Sequence, residues 1–247
     1  MKRIFICLVL LLFTALTFGQ SSWELRLMPQ IAFGANNTLQ RPNNDEGTRI
    51  FLNKEFDRKH RAIFSPRVEL EYTYKRNHFI LTGSLLKDQF EGISMKEIRY
   101  DGTTFAGGSN LNTTYRFNTY RIGYRYRLVD RMRFDFELGA TLLIRDAAIT
   151  MRSESQKAKY SNVGVAPLLS YYLGWNPTES FSLLSYGDGF AVGLGRAFDI
   201  FAGARYRFSP ILSAIIGYRL LEGGSDVKKI YTMALFNYLS FGVGIHF

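Results

Sequence analysis

The stretch RMRFDFELGATLLIRD, residues 131–146, decides the fold class because apolar and charged side chains alternate along it. One parity is apolar and consists of Phe134, Phe136, Leu138, Ala140, Leu142 and Ile144. The other parity carries polar and charged side chains, namely Arg133, Asp135, Glu137, Thr141 and Arg145. Successive side chains of a β-strand point to opposite faces. The stretch therefore predicts a strand with one oily face and one face that bears charges of both signs.

The first residues, MKRIFICLVLLLFTALTFGQ, predict export from the cytoplasm. Lys2 and Arg3 precede an apolar run, and small residues precede Gln20, which is the pattern of a secretory signal peptide. A retained membrane anchor is the less favoured alternative, because the apolar run falls short of the ~20 residues that a spanning helix needs. We predict a signal peptide over 1–19 and one domain over 20–247. Since Cys7 is the only cysteine, the mature chain cannot be a disulfide scaffold.

Alternation of this kind recurs along the mature chain and predicts ten strands. The predicted spans are 23–33, 62–74, 78–90, 113–128, 132–145, 160–173, 180–187, 197–208, 211–222 and 230–247. Short connections such as KRN, VDR and SP alternate along most of the chain with longer ones. The longer connections are 34–61, 91–112, 146–159, DGFAVGLGR (188–196) and GGSDVKK (223–229). Short turns at one end and long loops at the other are typical of outer-membrane barrels. We predict an all-β fold, a single antiparallel transmembrane barrel of ten strands, with eight or twelve strands as alternatives.

The charged parity should face the lumen, because an arginine that faces hydrocarbon costs about 2–4 kcal/mol at the bilayer midplane. The residues assigned to the lumen in this way are Glu24, Arg26, Arg67, Glu69, Glu71, Arg121, Arg125, Arg127, Arg133, Asp135, Glu137, Arg145, Asp199, Arg205, Arg207 and Arg219. Arginine has a planar fork of donors that bridges carboxylates, so this set predicts an interlocked charge network that fills a narrow barrel. Arginines outnumber acids in it, which leaves a narrow, weakly anion-leaning pore as an alternative.

The C-terminal third resembles small outer-membrane β-barrel proteins of Gram-negative bacteria, in the broad class that includes OmpA-like and OmpW-like barrels. The segments that carry the resemblance are GDG (187–189), GRAFD (195–199), RYRFSP (205–210), GYRLLEGG (217–224) and the closing FGVGIHF (241–247), and FNTYRIGYRYRLVD (117–130) fits the same pattern. The resemblance implies the fold and a location in the bacterial outer membrane, and it implies no activity. The terminal Phe247, with apolar residues at alternate positions before it, resembles the strand signal that the barrel-assembly machinery reads. It implies this machinery as a partner during insertion.

No candidate catalytic constellation emerges from the residues. Protease barrels of the omptin type use an Asp-x-His element, which this sequence lacks. Barrel lipases and deacylases need a serine and a histidine on a strand, whereas His78 and His246 are predicted at the turn end and His60 in the first long loop. With no cluster of histidine and cysteine, we predict no metal site, no cofactor and no catalytic residue.

Asp188 is a candidate catalytic acid at the outer rim. Arg196 and Asp199 follow it closely in the sequence. The glycines on both sides of Asp188 favour a tight loop instead.

The formal net charge of +10 favours an acidic membrane surface over nucleic acid as the neighbour of an exported chain. In the first loop, Arg58, Lys59 and Arg61 could contact lipopolysaccharide phosphates or simply lie in solvent. We predict a non-enzymatic barrel, structural or adhesive or a narrow pore, with outer-membrane lipids and lipopolysaccharide as partners. The alternatives are an enzyme that modifies a lipid or peptide near the outer rim, and a soluble periplasmic carrier.

Overall fold

The described part of the computed structural model, residues 21–247, is a closed antiparallel barrel of ten strands. The first strand, β1 (Ser21–Gln40), pairs with β4 (Ile63–Tyr74) on one side and with the last strand, β15 (Ile230–His246), on the other. Reciprocal backbone hydrogen bonds of 2.7 and 3.0 Å join Trp23 and Phe247 where the chain ends meet. The predicted fold class and strand number are confirmed. The predicted signal peptide, 1–19, lies outside the described residues and stays a prediction.

All ten predicted segments fall on barrel strands. The third barrel strand is built from β5 (Asn77–Ser84) and β6 (Lys87–Ile93), which both pair with β9 (Asn110–Arg131). The wall continues through β10 (Phe134–Arg152), β11 (Lys157–Trp175), β12 (Phe181–Val192), β13 (Gly195–Arg207) and β14 (Leu212–Val227). The outer loops hold β2 (Ile50–Phe51), α1 (Leu52–Glu55), β3 (Asp57–Arg58), β7 (Ile98–Tyr100) and β8 (Thr103–Phe105). Within 21–247 no helix has the length and apolar character of a membrane span.

The two faces of the wall differ as the alternation predicts. Ile122 on the outer face of β9 is 55% exposed, whereas its neighbour Arg121 is 4% exposed inside the barrel. The same contrast separates Phe64, which is 68% exposed, from Glu69, which is 1% exposed, on β4. An exposed apolar face around a closed wall is the face that hydrocarbon covers in a membrane barrel.

Three of the predicted long connections are wrong. The chain remains in β-structure through most of 146–159, 188–196 and 223–229, and the actual connections are 153–156, 193–194 and 228–229. The composition of these segments, rich in glycine and polar residues, is typical of loops. Strands can have the same composition where they extend beyond the apolar belt of the barrel. Asp188 therefore lies inside β12, paired with Asp199 of β13, and not in a tight loop.

The first two outer loops fold back over the mouth of the barrel. Leu52, Tyr100 and Phe105 from these loops are fully buried. They pack with inward side chains of the wall such as Tyr115 and Phe236 into one apolar cluster, here called the outer plug. Burial, and secondarily the charge of Asp101, raises the pKa of the Tyr100 phenol well above its usual range, so this ring remains neutral in the plug.

One seam of the wall is incomplete. β11 has nineteen residues, but its pairing with β12 extends only from Leu169 opposite Gly189 to Trp175 opposite Leu183. Over 157–168 the described pairing of β11 is with β10 alone. The β12–β13 hairpin turns at 193–194, so no strand covers the outer part of this edge. The barrel consequently has a lateral opening between β11 and the β12–β13 hairpin.

Candidate functional site

The lumen holds titratable and charged residues of eight strands, because their registers bring inward-facing positions to similar heights. Arg26 of β1 lies directly opposite Glu69 of β4, and Arg125 of β9 lies opposite Gly139 of β10. Gly139 leaves no room for a side chain, since a Cβ there would come within 1.8 Å of the Tyr124 carbonyl oxygen. Long side chains from the neighbouring strands fill the space across the bore instead.

Asp199 is the centre of the network. Arg219 donates through Nε and Nη2 to the two carboxylate oxygens at 2.6 and 2.8 Å, a bidentate pair. Arg121 and Arg67 approach the same carboxylate at 2.7 and 3.0 Å. The Arg219 side chain is completely buried, and its remaining donor reaches Gln30 at 2.7 Å. Three guanidinium groups thus share one carboxylate, and Arg219 has no other acid within ion-pair distance in the described chain, so losing this carboxylate should be costly.

A second layer lies closer to the turn end, defined as the end of the barrel that carries the chain termini. His78 has Nδ1 at 2.7 Å from Glu71 and Nε2 at 3.1 Å from Glu137. Arg125 contacts the same two carboxylates, at 3.6 and 3.0 Å. Of the two contacts of the imidazole, the one from Nδ1 to Glu71 has hydrogen-bond geometry. The layer is therefore a closed ring of two acids, one arginine and one histidine.

Arg26 and Glu69 join the two layers. Arg26 contacts Glu71 at 2.5 Å and Glu69 at 2.9 Å, and Glu69 also pairs with Arg67. The hydroxyl of Tyr186 lies 3.3 Å from both oxygens of Glu69. The ion pairs thus run without a break from the turn-side layer to Asp199.

Most of the residues predicted for the lumen network are in it. The predicted residues that form ion pairs are Glu24, Arg26, Arg67, Glu69, Glu71, Arg121, Arg125, Arg127, Glu137, Asp199, Arg205 and Arg219. Arg133 and Arg207 line the turn-end cavity without an ion pair in the described chain. Asp135 accepts a hydrogen bond from Asn176 at 2.9 Å, and Arg145 stands apart from the acids.

Two members of the network were missed by the sequence argument. We predicted His78 at a turn, but it is buried in the turn-side layer. Asp188 accepts from the Thr141 hydroxyl at 2.6 Å and lies 3.3 Å from Arg121. Both lie on the inward parity of their strands, so strict alternation would have included them. His78 is the second residue of β5, directly after the turn.

The sequence has no cluster of histidine and cysteine, but the fold brings one histidine together with two glutamates. Donor atoms of Glu71, His78 and Glu137 all lie within 4.8 Å of one another, which is metal-ligand spacing. Arg125 contacts both acids, and the imidazole lies within 3.1 Å of both carboxylates, with Nδ1 hydrogen-bonded to Glu71. The guanidinium supplies the positive charge that a cation would otherwise bring, so this geometry favours a structural ion-pair ring.

Below the network, the bore opens at the turn end into a vestibule of about 720 Å³. Glu24, Arg133, Ser182, Arg205 and Arg207 contribute to its largely polar wall. The Glu71–His78–Glu137 layer lines its inner end.

Cysteine labelling should locate the floor of the vestibule. Ser182 lines it, whereas Ser84 is 4% exposed and hydrogen-bonded to Arg219 beyond the network. In mature protein, which lacks other cysteines, we expect Ser182→Cys to react with a hydrophilic maleimide at least about tenfold faster than Ser84→Cys, because the buried site reacts only after local opening. Mass spectrometry of the labelled protein gives both rates. Equal rates for the two thiols would mean that the network does not seal the bore.

Comparison with solved structures agrees with this architecture. The outer membrane protease OmpT from Escherichia coli superposes with a TM-score of 0.61 at 9% sequence identity, over 94% of this chain and 98% of that chain. The fold is that of an outer-membrane β-barrel. The translocator domain of the autotransporter NalP from Neisseria meningitidis also matches, at a TM-score of 0.45 and 9% identity, over 100% of this chain and 95% of that chain. No protein-family model and no curated protein matches the sequence. At these identities the likeness establishes the fold alone.

Proposed function

We propose that this protein is a non-enzymatic barrel of the bacterial outer membrane whose lumen is closed to solutes, with a structural or adhesive role at the cell surface. The observation that carries the proposal is that the bore is filled at two successive levels. The ion-pair network occupies the membrane-embedded part, and the outer plug occupies the part beyond it.

The network supports a closed bore because its members are held by several partners each. Arg219 combines the bidentate pair with Asp199, the hydrogen bond to Gln30 and a position 4.7 Å from the ring centre of Tyr238. Bidentate, charge-assisted bonds of this kind are short and geometrically specific. A permeating anion would have to displace a carboxylate that already satisfies three arginines, which disfavours the anion-leaning pore.

The same pairing argues against acid–base catalysis in the lumen. A general acid or base needs a carboxyl or imidazole within hydrogen-bonding reach of a substrate. Asp188 and Asp199 are engaged by arginine or threonine, and His78 lies between two carboxylates. The OmpT likeness brings no protease function to this chain, because the Asp-x-His element is absent from the sequence.

The outer surface supports a role in contact with lipopolysaccharide or another surface. Lys59, His60 and Arg61 are exposed beside β3, whereas Arg58 forms an ion pair of 2.7 Å with Asp88. Exposed cations near the outer rim can bind the phosphates of lipopolysaccharide, a partner class that we propose together with the outer-membrane lipids. Insertion by the barrel-assembly machinery, through the strand that ends at Phe247, is part of the same proposal.

Planar-bilayer recording tests the closed bore. We expect purified, reconstituted protein to show no stepwise conductance, because two filled levels lie in series along the axis. A porin reconstituted in parallel controls for insertion, and protease protection of the barrel shows that the protein has entered the bilayer. Reproducible, anion-selective steps from the unmodified protein would overturn the closed-lumen proposal and favour the narrow pore.

A further inference from the structure

The lateral opening between β11 and the β12–β13 hairpin faces the membrane. The last rung of the β11–β12 ladder joins Leu169 and Gly189, and Pro167 lies two residues beyond this rung on β11. Proline has no N–H to donate, so a ladder can end there without leaving a donor unpaired. Pro167 pairs across β10 with Leu142, which is exposed on the lipid face. The opening therefore begins within the apolar belt rather than above it.

Behind the opening lies a mostly apolar cavity of about 330 Å³. Val165, Pro167 and Leu168 line it from β11, and Phe190 and Val192 line it from β12. Phe190 and Val192 share the inward parity of Asp188, yet they are 44% and 55% exposed, because no packed lumen stands in front of them. Ligand pockets usually measure ~300–1,000 Å³, so this cavity is large enough for part of a small amphiphile.

The inner wall of this cavity carries a guanidinium group that lacks an acidic partner. Among the described residues no carboxylate lies within ion-pair distance of Arg145, and its Nε is buried without a hydrogen-bond partner. The side chain extends across Gly164, where an added Cβ would come within 3.2 Å of Nη2. Arg145 also lines a second cavity, of about 220 Å³, on the lumen side together with Tyr115 and Tyr160. The five fully buried arginines of the described lumen each have an acid beside them, whereas the half-buried Arg145 has none.

We propose that the opening admits a long-chain fatty acid anion from the membrane, with its carboxylate on Arg145 and its acyl chain in the lateral cavity. A carboxylate matches the planar fork of one guanidinium, whereas a phosphate monoester usually takes several donors. The apolar entrance lets the chain remain in contact with hydrocarbon while the head group binds inside. This inference depends on the proposed membrane location but not on the bore being closed.

Photolabelling tests the site directly. The folded protein is reconstituted in phosphatidylcholine vesicles with palmitate that carries a photoreactive diazirine in its chain, and labelled peptides are identified by mass spectrometry. We expect labelling of the peptides that contain 165–168 and 190–192 to be saturable by unlabelled palmitate. Labelling at Ile122 on the general lipid face should not saturate. Hexadecanol should compete poorly because it lacks the anionic head.

Variants assign the head-group contact. We expect Arg145→Gln to reduce the saturable labelling at least about tenfold, since a charge-assisted bond to a carboxylate is lost. Arg116→Gln is the matched control, because Arg116 pairs with Asp146 on the exposed outer part of the same sheet and should label as the unmodified protein does. If Arg145→Gln fails to fold, Gly164→Leu retains the guanidinium, fills the cavity and should abolish saturable labelling.

Three outcomes would overturn the proposal. They are labelling that does not saturate, unchanged labelling of Arg145→Gln, and stronger competition by lysophosphatidate than by palmitate, which would assign the site to a phospholipid head group. A protein that shows no conductance and no saturable labelling would contradict this inference alone. A protein that conducts ions and still binds palmitate would contradict only the closed-lumen proposal.

Discussion

Replacing Asp199 with asparagine is expected to destabilise the barrel by about 3–5 kcal/mol, the usual loss when one partner of a buried ion pair is removed. The change is nearly isosteric, so little of this loss comes from packing. Arg67, Arg121 and Arg219 would remain buried with less negative charge beside them. The free energy of unfolding in detergent or lipid vesicles, followed by tryptophan fluorescence in denaturant, measures the effect.

The matched control is Asp146→Asn, which breaks the Arg116–Asp146 pair of 2.8 Å at the exposed outer part of β10. Both side chains are partly exposed, at 44% and 31%, so water and salt screen the pair and we expect a loss below about 1 kcal/mol. A double variant, Asp199→Asn with Arg121→Gln, should be less destabilised than the sum of the single changes, because the second substitution removes a stranded charge. Equal losses for Asp199→Asn and Asp146→Asn would contradict the central role of Asp199.

Placing an arginine on the lipid face should lower the free energy of unfolding by nearly as much as Asp199→Asn does. Ile122 lies on the outward parity of β9, 55% exposed, between the turn end and the outer loops. For Ile122→Arg we expect a loss of about 2–4 kcal/mol, the cost of a guanidinium near the bilayer midplane. Denaturant titration of the barrel folded in lipid vesicles measures it, since detergent micelles deform around a charge more easily than a bilayer does.

Met95→Arg controls for adding the same side chain elsewhere. Met95 is 96% exposed in an outer loop, where a substitution should change the stability by less than about 0.5 kcal/mol. If Ile122→Arg were as harmless as Met95→Arg, water rather than hydrocarbon would cover the apolar parity. The assignment of the two faces would then be reversed.

The alternation of side chains was sufficient to predict the barrel because it depends only on local geometry. A strand has a period of two whatever its neighbours are, so Phe134 and Phe136 could be separated from Asp135 and Glu137 without any tertiary information. Long strands and exposed positions such as Ile122 follow from the same rule. The prediction was wrong where neighbouring residues were given more weight than the alternation. Asp188 was assigned to a loop because glycines flank it, and His78 was assigned to a turn because it follows one.

What the sequence by itself determined is therefore the fold class, a strand number of about ten and the face of most charged side chains. Which charges meet is decided by the register between strands that are distant in the chain, and by the closure that brings β13 and β14 opposite β4 and β9. Closure of the barrel brings Arg67, Arg121 and Arg219 within ion-pair distance of Asp199. It brings no carboxylate of the described chain that close to Arg145. The lateral opening is also a tertiary feature, since the height at which a hairpin ends matters only relative to its neighbour. The alternation of side chains is a property of a single strand. Ion pairs across the bore and gaps in the wall depend on how all ten strands are arranged in the closed barrel.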